Sequence, residues 1–184
     1  MKIGEQIRNH RTGESLTLLA DGKTAGQLFQ RYQVVLPPRR AGPPQHYHVA
    51  FTETFAVIAG TLDMYVGRPM QSSRLLPGDS MTVEPGTPHT FENSADHACT
   101  LLVTAQPVGG VVDAFKLAYG IANEGKAGRD GLPKNSIIRL RFIQISGGFL
   151  PRIPRGVQKA VLLAARWIAQ ATGLERTVRR HLDA

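Results

Sequence analysis

Gly42-Pro43-Pro44-Gln45-His46-Tyr47-His48, with Glu53 and Gly60 shortly after it, gathers more metal-ligating chemistry than any other stretch of this chain. In extended backbone the side chains at i and i+2 share a face, with alpha carbons roughly 6.6 Å apart. The His46 and His48 imidazoles can therefore converge on one ion, while Tyr47 points the other way as a packing residue. Glu53 precedes an apolar run, Thr54 to Ile58, and Gly60 permits a tight reversal after it. A hairpin there would bring Glu53 beside the histidine pair as a third ligand. Further on come Gly78-Asp79, then Pro85-Gly86-Thr87-Pro88-His89, then Asn93. The prolines and glycine define a sharp turn that aims His89 at the start of a strand, so a fourth ligand arrives from a distant segment. Asn93 can hydrogen-bond its own backbone at the following turn.

Outward from these clusters the chain reads as short apolar runs separated by turn chemistry, the pattern of an antiparallel barrel or sandwich. Strands are expected at Leu16 to Ala20, Leu28 to Leu36, Thr54 to Ile58, Thr61 to Val66, Ser80 to Val83, His89 to Phe91 and Thr100 to Ala105. Breakers separate them, among them Asp21-Gly22, Pro37-Pro38, Ala59-Gly60 and Pro77-Gly78-Asp79. Phe55, Val57 and Phe91 suit either a pocket lining or a barrel core. His10, His97 and His181 lack any ligand context and are assigned to the solvated surface.

After Pro107 the texture becomes helical, which places a boundary near Gly110. Residues 1–110 are expected to form a β-barrel domain. Residues 111–184 are expected to form a helical extension packing on the barrel or on a partner subunit. Val111 to Glu124 has helical character. Asn135 to Ser146 fits a strand through Ile138, Leu140 and Phe142, or a helix through Ile138, Phe142 and Ile145; helix is the choice made here. Val157, Ala160, Val161, Ala164, Trp167, Ile168, Ala171 and Leu174 recur at three- and four-residue steps as one apolar stripe, bounded by Pro154 and Gly173.

The two ligand-bearing segments resemble the paired signatures of the cupin superfamily. His46, His48, Glu53 and Gly60 match the first, and Gly78, Gly86, His89 and Asn93 the second, over about Leu28 to Ala105. Two departures stand out: Arg40 occupies the position of a usual glycine, with Gly42 two residues closer to the histidines, and Glu84 stands where proline is usual. The resemblance implies a mainly β fold, the cupin double-stranded β-helix or jelly-roll barrel, followed here by C-terminal α-helices. It also implies a metal inside one open end, facing a substrate pocket. The region from Pro151 resembles an extension found in some bacterial cupin-domain proteins.

Three imidazoles and one carboxylate suit one divalent transition metal from among Mn, Fe, Ni, Co, Cu and Zn. An ion accepting six ligands would keep positions for water, dioxygen or substrate. The leading expectation is therefore an enzyme acting on a small organic molecule, by oxygenase, isomerase, lyase or hydrolase chemistry, with a dioxygenase as the first guess. His46, His48 and His89 would anchor the ion, and Glu53 would complete the shell or act as a catalytic base. The alternatives are a non-catalytic module that binds or senses a ligand or metal, and a membrane-surface carrier of an apolar ligand.

Composition narrows the remaining choices. Hydrophobic residues make up 42% of the 184 and charged residues 20%, close to globular averages. The amino-terminal residues lack the apolar run of an export signal. The single cysteine, Cys99, cannot form an internal disulfide and suits a buried strand position, so a cytoplasmic location is expected. The net charge is +8, and much of the excess follows Pro151: Arg152, Arg155, Lys159, Arg166, Arg176, Arg179 and Arg180 against Glu175 and Asp183. A small-molecule ligand in the barrel and a homodimer are the expected partners. An anionic membrane surface ranks behind them. Nucleic acid ranks last, because no reading motif accompanies the arginines.

Overall fold

The computed structural model describes residues 1–24 and 27–183. In chain order the elements are β1 (Gln6–Arg8), β2 (Ser15–Thr24), β3 (Gln27–Leu36), β4 (Arg40–Ala41), β5 (Tyr47–His48), β6 (Thr52–Ala59), β7 (Leu62–Val66) and β8 (Gln71–Leu75). They continue with β9 (Ser80–Val83), β10 (His89–Asn93), β11 (Cys99–Gln106), α1 (Val111–Asn123), α2 (Ser136–Ser146), β12 (Gly148–Phe149), α3 (Arg155–Ala171) and α4 (Leu174–Asp183). A six-stranded antiparallel sheet runs β1-β2-β3-β11-β6-β9, and a four-stranded one runs β4-β10-β7-β8. Their inner faces share one core, in which Leu16, Tyr32, Phe55, Val57, Leu101 and Val103 of the first sheet meet Leu62, Met64 and Phe91 of the second. This is the expected two-sheet barrel with helices after it.

Strict alternation drives the central strands. Along β11 every second residue from Cys99 to Ala105 is buried, and along β10 the inward positions are His89, Phe91 and Asn93. Cys99 is fully buried at the head of β11, and burial pushes its thiol up to about 11. The inward residues of β6 are Glu53, Phe55 and Val57. Glu53 thus lies inside the strand rather than ahead of it, projecting on the same face as its apolar neighbours.

Three further expectations need correction. Asp21-Gly22 does not break β2, whose pairing with β3 continues through Gly22↔Phe29 and Lys23↔Leu28 after an irregularity between Leu18 and Ala20. His181 is not solvated: its ring packs on Gly120 of α1, and Nε2 lies 3.1 Å from Glu124 Oε1. A β-carbon at residue 120 would sit 2.2 Å from the His181 ring, so the helical glycine makes the space. The third concerns the stripe on α3. Its residues Val157, Ala160, Val161, Ala164, Trp167, Ile168 and Ala171 are all exposed, and the helix buries Gln158, Leu162, Ala165 and Ala169 instead. Gln158 fixes that rotation by accepting from Leu150 N at 2.8 Å and donating to the carbonyls of Leu150 (2.9 Å) and Ile153 (2.7 Å). The small Ala165 and Ala169 then face inward.

Asn135-to-Ser146 resolves as helix α2. The Asn135 side chain caps it by accepting from Ile137 N and Ile138 N at 3.0 and 3.1 Å, and Gly147 ends it with a positive φ of 67°. Arg141 anchors α2 to α4 through a paired contact with Glu175, Nε to Oε2 at 2.9 Å and Nη2 to Oε1 at 2.8 Å. Val111, Val112, Ala118 and Tyr119 of α1 belong to the barrel core, whereas Leu117 and Ile121 face Ile138 and Val178. Strand β12 then pairs with β5, Gly148 opposite His48 and Phe149 opposite Tyr47. The helical segment thus roofs the end of the barrel that carries the histidines. Among the described residues no helix is long and apolar enough to cross a membrane.

Candidate metal centre

His46 and His89 face each other directly across an antiparallel bridge, with His46 N donating to His89 O at 3.0 Å and His89 N to His46 O at 2.8 Å. His48 is held on β5, and its carbonyl accepts from Gly86 N at 2.6 Å. Glu53 arrives on β6, between its neighbours Val83 of β9 and Ala105 of β11. The outcome is one cluster in which a ligand atom from each of His46, His48, Glu53 and His89 lies within 4.8 Å of the others. The structure thus brings all four sequence candidates together. His48, Glu53 and His89 are buried, and His46 is the most open.

The proton positions decide what the cluster can do. His46 Nδ1 lies 2.9 Å from the Pro44 carbonyl and His89 Nδ1 3.1 Å from the Thr87 carbonyl. A carbonyl only accepts, so both Nδ1 atoms carry the proton and both Nε2 atoms of the neutral rings present lone pairs. His89 Nε2 lies 3.2 Å from Glu53 Oε2; His48 Nε2 lies 3.3 Å from the same oxygen, and His48 Nδ1 is buried without a hydrogen-bond partner among the described residues. The His89 lone pair facing a carboxylate oxygen in a buried site calls for a cation, supplied by protonating that imidazole or by a metal ion. Two donors each about 2.1 Å from one ion stand roughly 3.0 to 3.4 Å apart at octahedral or tetrahedral angles. The two separations from Glu53 Oε2 are those of donors sharing an ion, and all four candidate ligand atoms lie within 4.8 Å of one another, so the residues fit a divalent metal site.

Burial, together with the proximity of His89 and His48, lowers the His46 pKa to about 3 and keeps its lone pair available. In the absence of an ion, burial opposes charge on Glu53, but hydrogen bonds from His48 and His89 in their protonated forms, and then their charge, outweigh it and hold the carboxyl well below its usual range. Tyr32 Oη donates to Glu53 Oε1 at 3.3 Å, and burial followed by the Glu53 charge raises the tyrosine pKa well above normal. Tyr32 therefore stays a donor and orients the carboxylate from outside the ligand set. Sequence reading had missed it, because only the pairing of β3 with β11 brings it beneath Glu53.

The two motif departures have local explanations. A β-carbon at Gly42 would meet the Phe91 ring at 2.6 Å, so the glycine lies where the backbone passes closest to β10, while Arg40 is free to pair with Glu14 at 3.1 Å. Glu84 is exposed, and its carbonyl closes the turn by accepting from Thr87 N at 3.1 Å. Tyr47 packs on Phe149, ring centres 5.7 Å apart.

Above the four candidate ligands opens a cavity of about 600 Å³ whose walls are largely apolar, with Val34, Phe55, Phe91, Leu101, Phe142 and Phe149 among them. Residues 32–105, the span holding all four candidate ligands, match the family model of the cupin domain. The barrel is a cupin domain. Similar solved structures include a sugar phosphate isomerase from a cupin superfamily of Silicibacter pomeroyi, at 22% identity over 59% of this chain and 76% of that one, TM-score 0.47. KdgF from Halomonas sp. is 17% identical over 52% of this chain and 80% of its own, TM-score 0.46. The cupin domain of an XRE family transcriptional regulator from Enterobacter cloacae is 17% identical over 50% and 94%, TM-score 0.43. No curated protein matches the sequence. In this cupin domain β12, α1 and α2 complete the cavity, with Gly148, Phe149, Phe115 and Phe142 forming part of its wall.

Proposed function

We propose that the chain is a metal-dependent cupin that takes an elongated, largely apolar organic molecule into the barrel and acts on the end that reaches the ion. The observation that carries this reading is the opening of the three-imidazole, one-carboxylate cluster onto a mostly apolar cavity of about 600 Å³, within the range that encloses a small organic ligand. His46, His48, Glu53 and His89 would hold the ion, which when bound supplies Lewis-acid polarisation and open coordination positions. The phenyl and leucyl walls exclude water and align the substrate, and they offer few partners to a polyhydroxylated or phosphorylated one. Glu53, kept ionised and oriented by Tyr32, either completes the ligand shell or accepts a proton from the substrate.

Cobalt(II)-loaded protein tests for open positions. Adding acetohydroxamate, a bidentate chelator, is expected to change the visible absorption bands of the bound cobalt. An unaltered spectrum means a closed shell and replaces the enzyme with a storage or sensing module.

A second reading follows from the outward face of α3, and it concerns where the barrel works. Trp167 is 67% exposed, and Val157, Val161, Leu163 and Ile168 are exposed beside it. At 100° per residue, Arg155, Lys159 and Arg166 fall along one flank of this face, and among the described residues none of them has an ion-pair partner. An apolar face edged by unpaired cations fits an anionic lipid surface, whereas a second copy carries the same +8 charge. The chain therefore docks this face on anionic lipid. Trp167 is the sole tryptophan, so its emission reads the docking directly. Vesicles containing phosphatidylglycerol are expected to shift it to the blue, and phosphatidylcholine vesicles are not. No shift rules out docking, and a shift that follows protein concentration without vesicles assigns the face to self-association.

A further inference from the structure

The metal ligands sit at one end of the cavity, and the other end carries polar side chains they do not use. Tyr119 of α1 is 3% exposed and lines this end, yet its Oη has no hydrogen-bond partner among the described residues. Arg40 of β4 lines it too. Its Nη2 donates to Glu14 Oε2 at 3.1 Å and to the Asp130 carbonyl at 2.7 Å, while its buried Nε is likewise without a partner. Buried polar atoms in folded chains are nearly always paired, so two unmet donors on side chains that line one cavity point to an acceptor brought by a ligand. Tyr119 keeps its proton: burial first, then the Glu14 carboxylate, raise its pKa well above normal, with Arg40 opposing.

Strand register gives the separation from the metal centre. His46 pairs with His89 and Arg40 with Asn93, four residues apart along β10, or about 13 Å. Phe91 lies between them on the same inward face. The charge balance at the far end is neutral, because Arg40 is paired with Glu14 and Arg139 with Asp130. An anionic ligand group would find no unneutralised cation there.

We propose that Tyr119 Oη and Arg40 Nε form a second anchor for the ligand, taking an uncharged carbonyl oxygen at the end of its apolar body remote from the metal. The ligand class is therefore a medium-length apolar chain or ring system with a ketone, ester or amide at that end. The anchor deepens the metal-dependent reading and relies on it only for the opposite end of the ligand.

Two probes test it by calorimetry on the full chain, zinc-loaded and metal-free: a medium-chain alkyl hydroxamate ending in a methyl ketone, and the same hydroxamate ending in a methyl group. The wild type is expected to prefer the ketone probe about tenfold, in both metal states. Tyr119→Phe is expected to reduce that preference to about twofold while unfolding at the same temperature as the wild type or higher, since the hydroxyl it removes has no protein partner. If zinc leaves both affinities unchanged but the tenfold preference holds, the metal reading fails and the anchor stands. Equal binding of the two probes by the wild type overturns the anchor. So does a preference that survives Tyr119→Phe, or tighter binding of a carboxylate-ended probe than of the ketone.

Discussion

Replacing His89 by alanine is expected to weaken divalent-ion binding by two to three powers of ten and to remove most of the thermal stabilisation the ion brings. Four-ligand protein sites bind their metal with about 10 to 16 kcal/mol, so one donor in four accounts for roughly 2.5 to 4 kcal/mol. In the wild type an ion at a thousand times its Kd adds about 4 kcal/mol, or roughly 8 to 16 °C in Tm for a chain of this size. The quantity to measure is the difference in Tm between loaded and stripped forms of the same variant, in which any change in basal stability cancels. A His89→Ala protein that keeps the wild-type increment would mean the ion binds without the second segment. In the stripped protein the same cluster sets an acid limb. An unfolded His46 takes up a proton below about 6.5, which the folded site refuses until about 3, so stability falls as pH drops through that window. Glu53, held below its ordinary 4.5, acts in the same direction: its contribution is complete above that value and is lost on further acidification.

Gly60→Ala is expected to destabilise the fold by about 2 to 5 kcal/mol. The residue turns β6 into β7 with φ at +79°, and an added β-carbon would lie 2.4 Å from the Ala98 carbonyl oxygen and 2.9 Å from the Cys99 alpha carbon. The left-handed conformation contributes about 1 to 2 kcal/mol. The overlap adds about 1 to 3, because both atoms it meets are backbone at the head of β11 and cannot swing aside. Thermal unfolding should register a drop of roughly 4 to 20 °C. A drop below about 2 °C would show that the β6–β7 turn can shift away from β11 freely.

The sequence carried what depends on local periodicity and spacing. Alternation located β6, β10 and β11, and the turn chemistry around Gly60 and Gly86 brought Glu53 and His89 to the same place as His46 and His48. It could not say that Glu53 lies within β6, because a lone carboxylate next to an apolar run reads as the loop before a strand. Helix α2 was ambiguous between two periods, and a single capping residue, Asn135, together with Gly147, decides it. The stripe on α3 was visible but its direction was not: periodicity defines a face, and only the bonds from Gln158 to Leu150 and Ile153 determine which face turns inward. Strand β12 left no trace in the sequence, since it arises only where the chain after α2 returns to pair with β5 at His48. Asp21-Gly22 misled because turn-forming residues are tolerated in a strand that continues past an irregularity.

The central claim is that His46, His48, Glu53 and His89 share one ion, and an anomalous difference map from crystals of the full chain loaded with zinc or cobalt tests it most directly. The account predicts a single strong peak about 2.0 to 2.2 Å from the Nε2 atoms of the three histidines and from a Glu53 carboxylate oxygen. A peak elsewhere on the chain, or one bonded to the first-segment histidines with His89 left out, would contradict it.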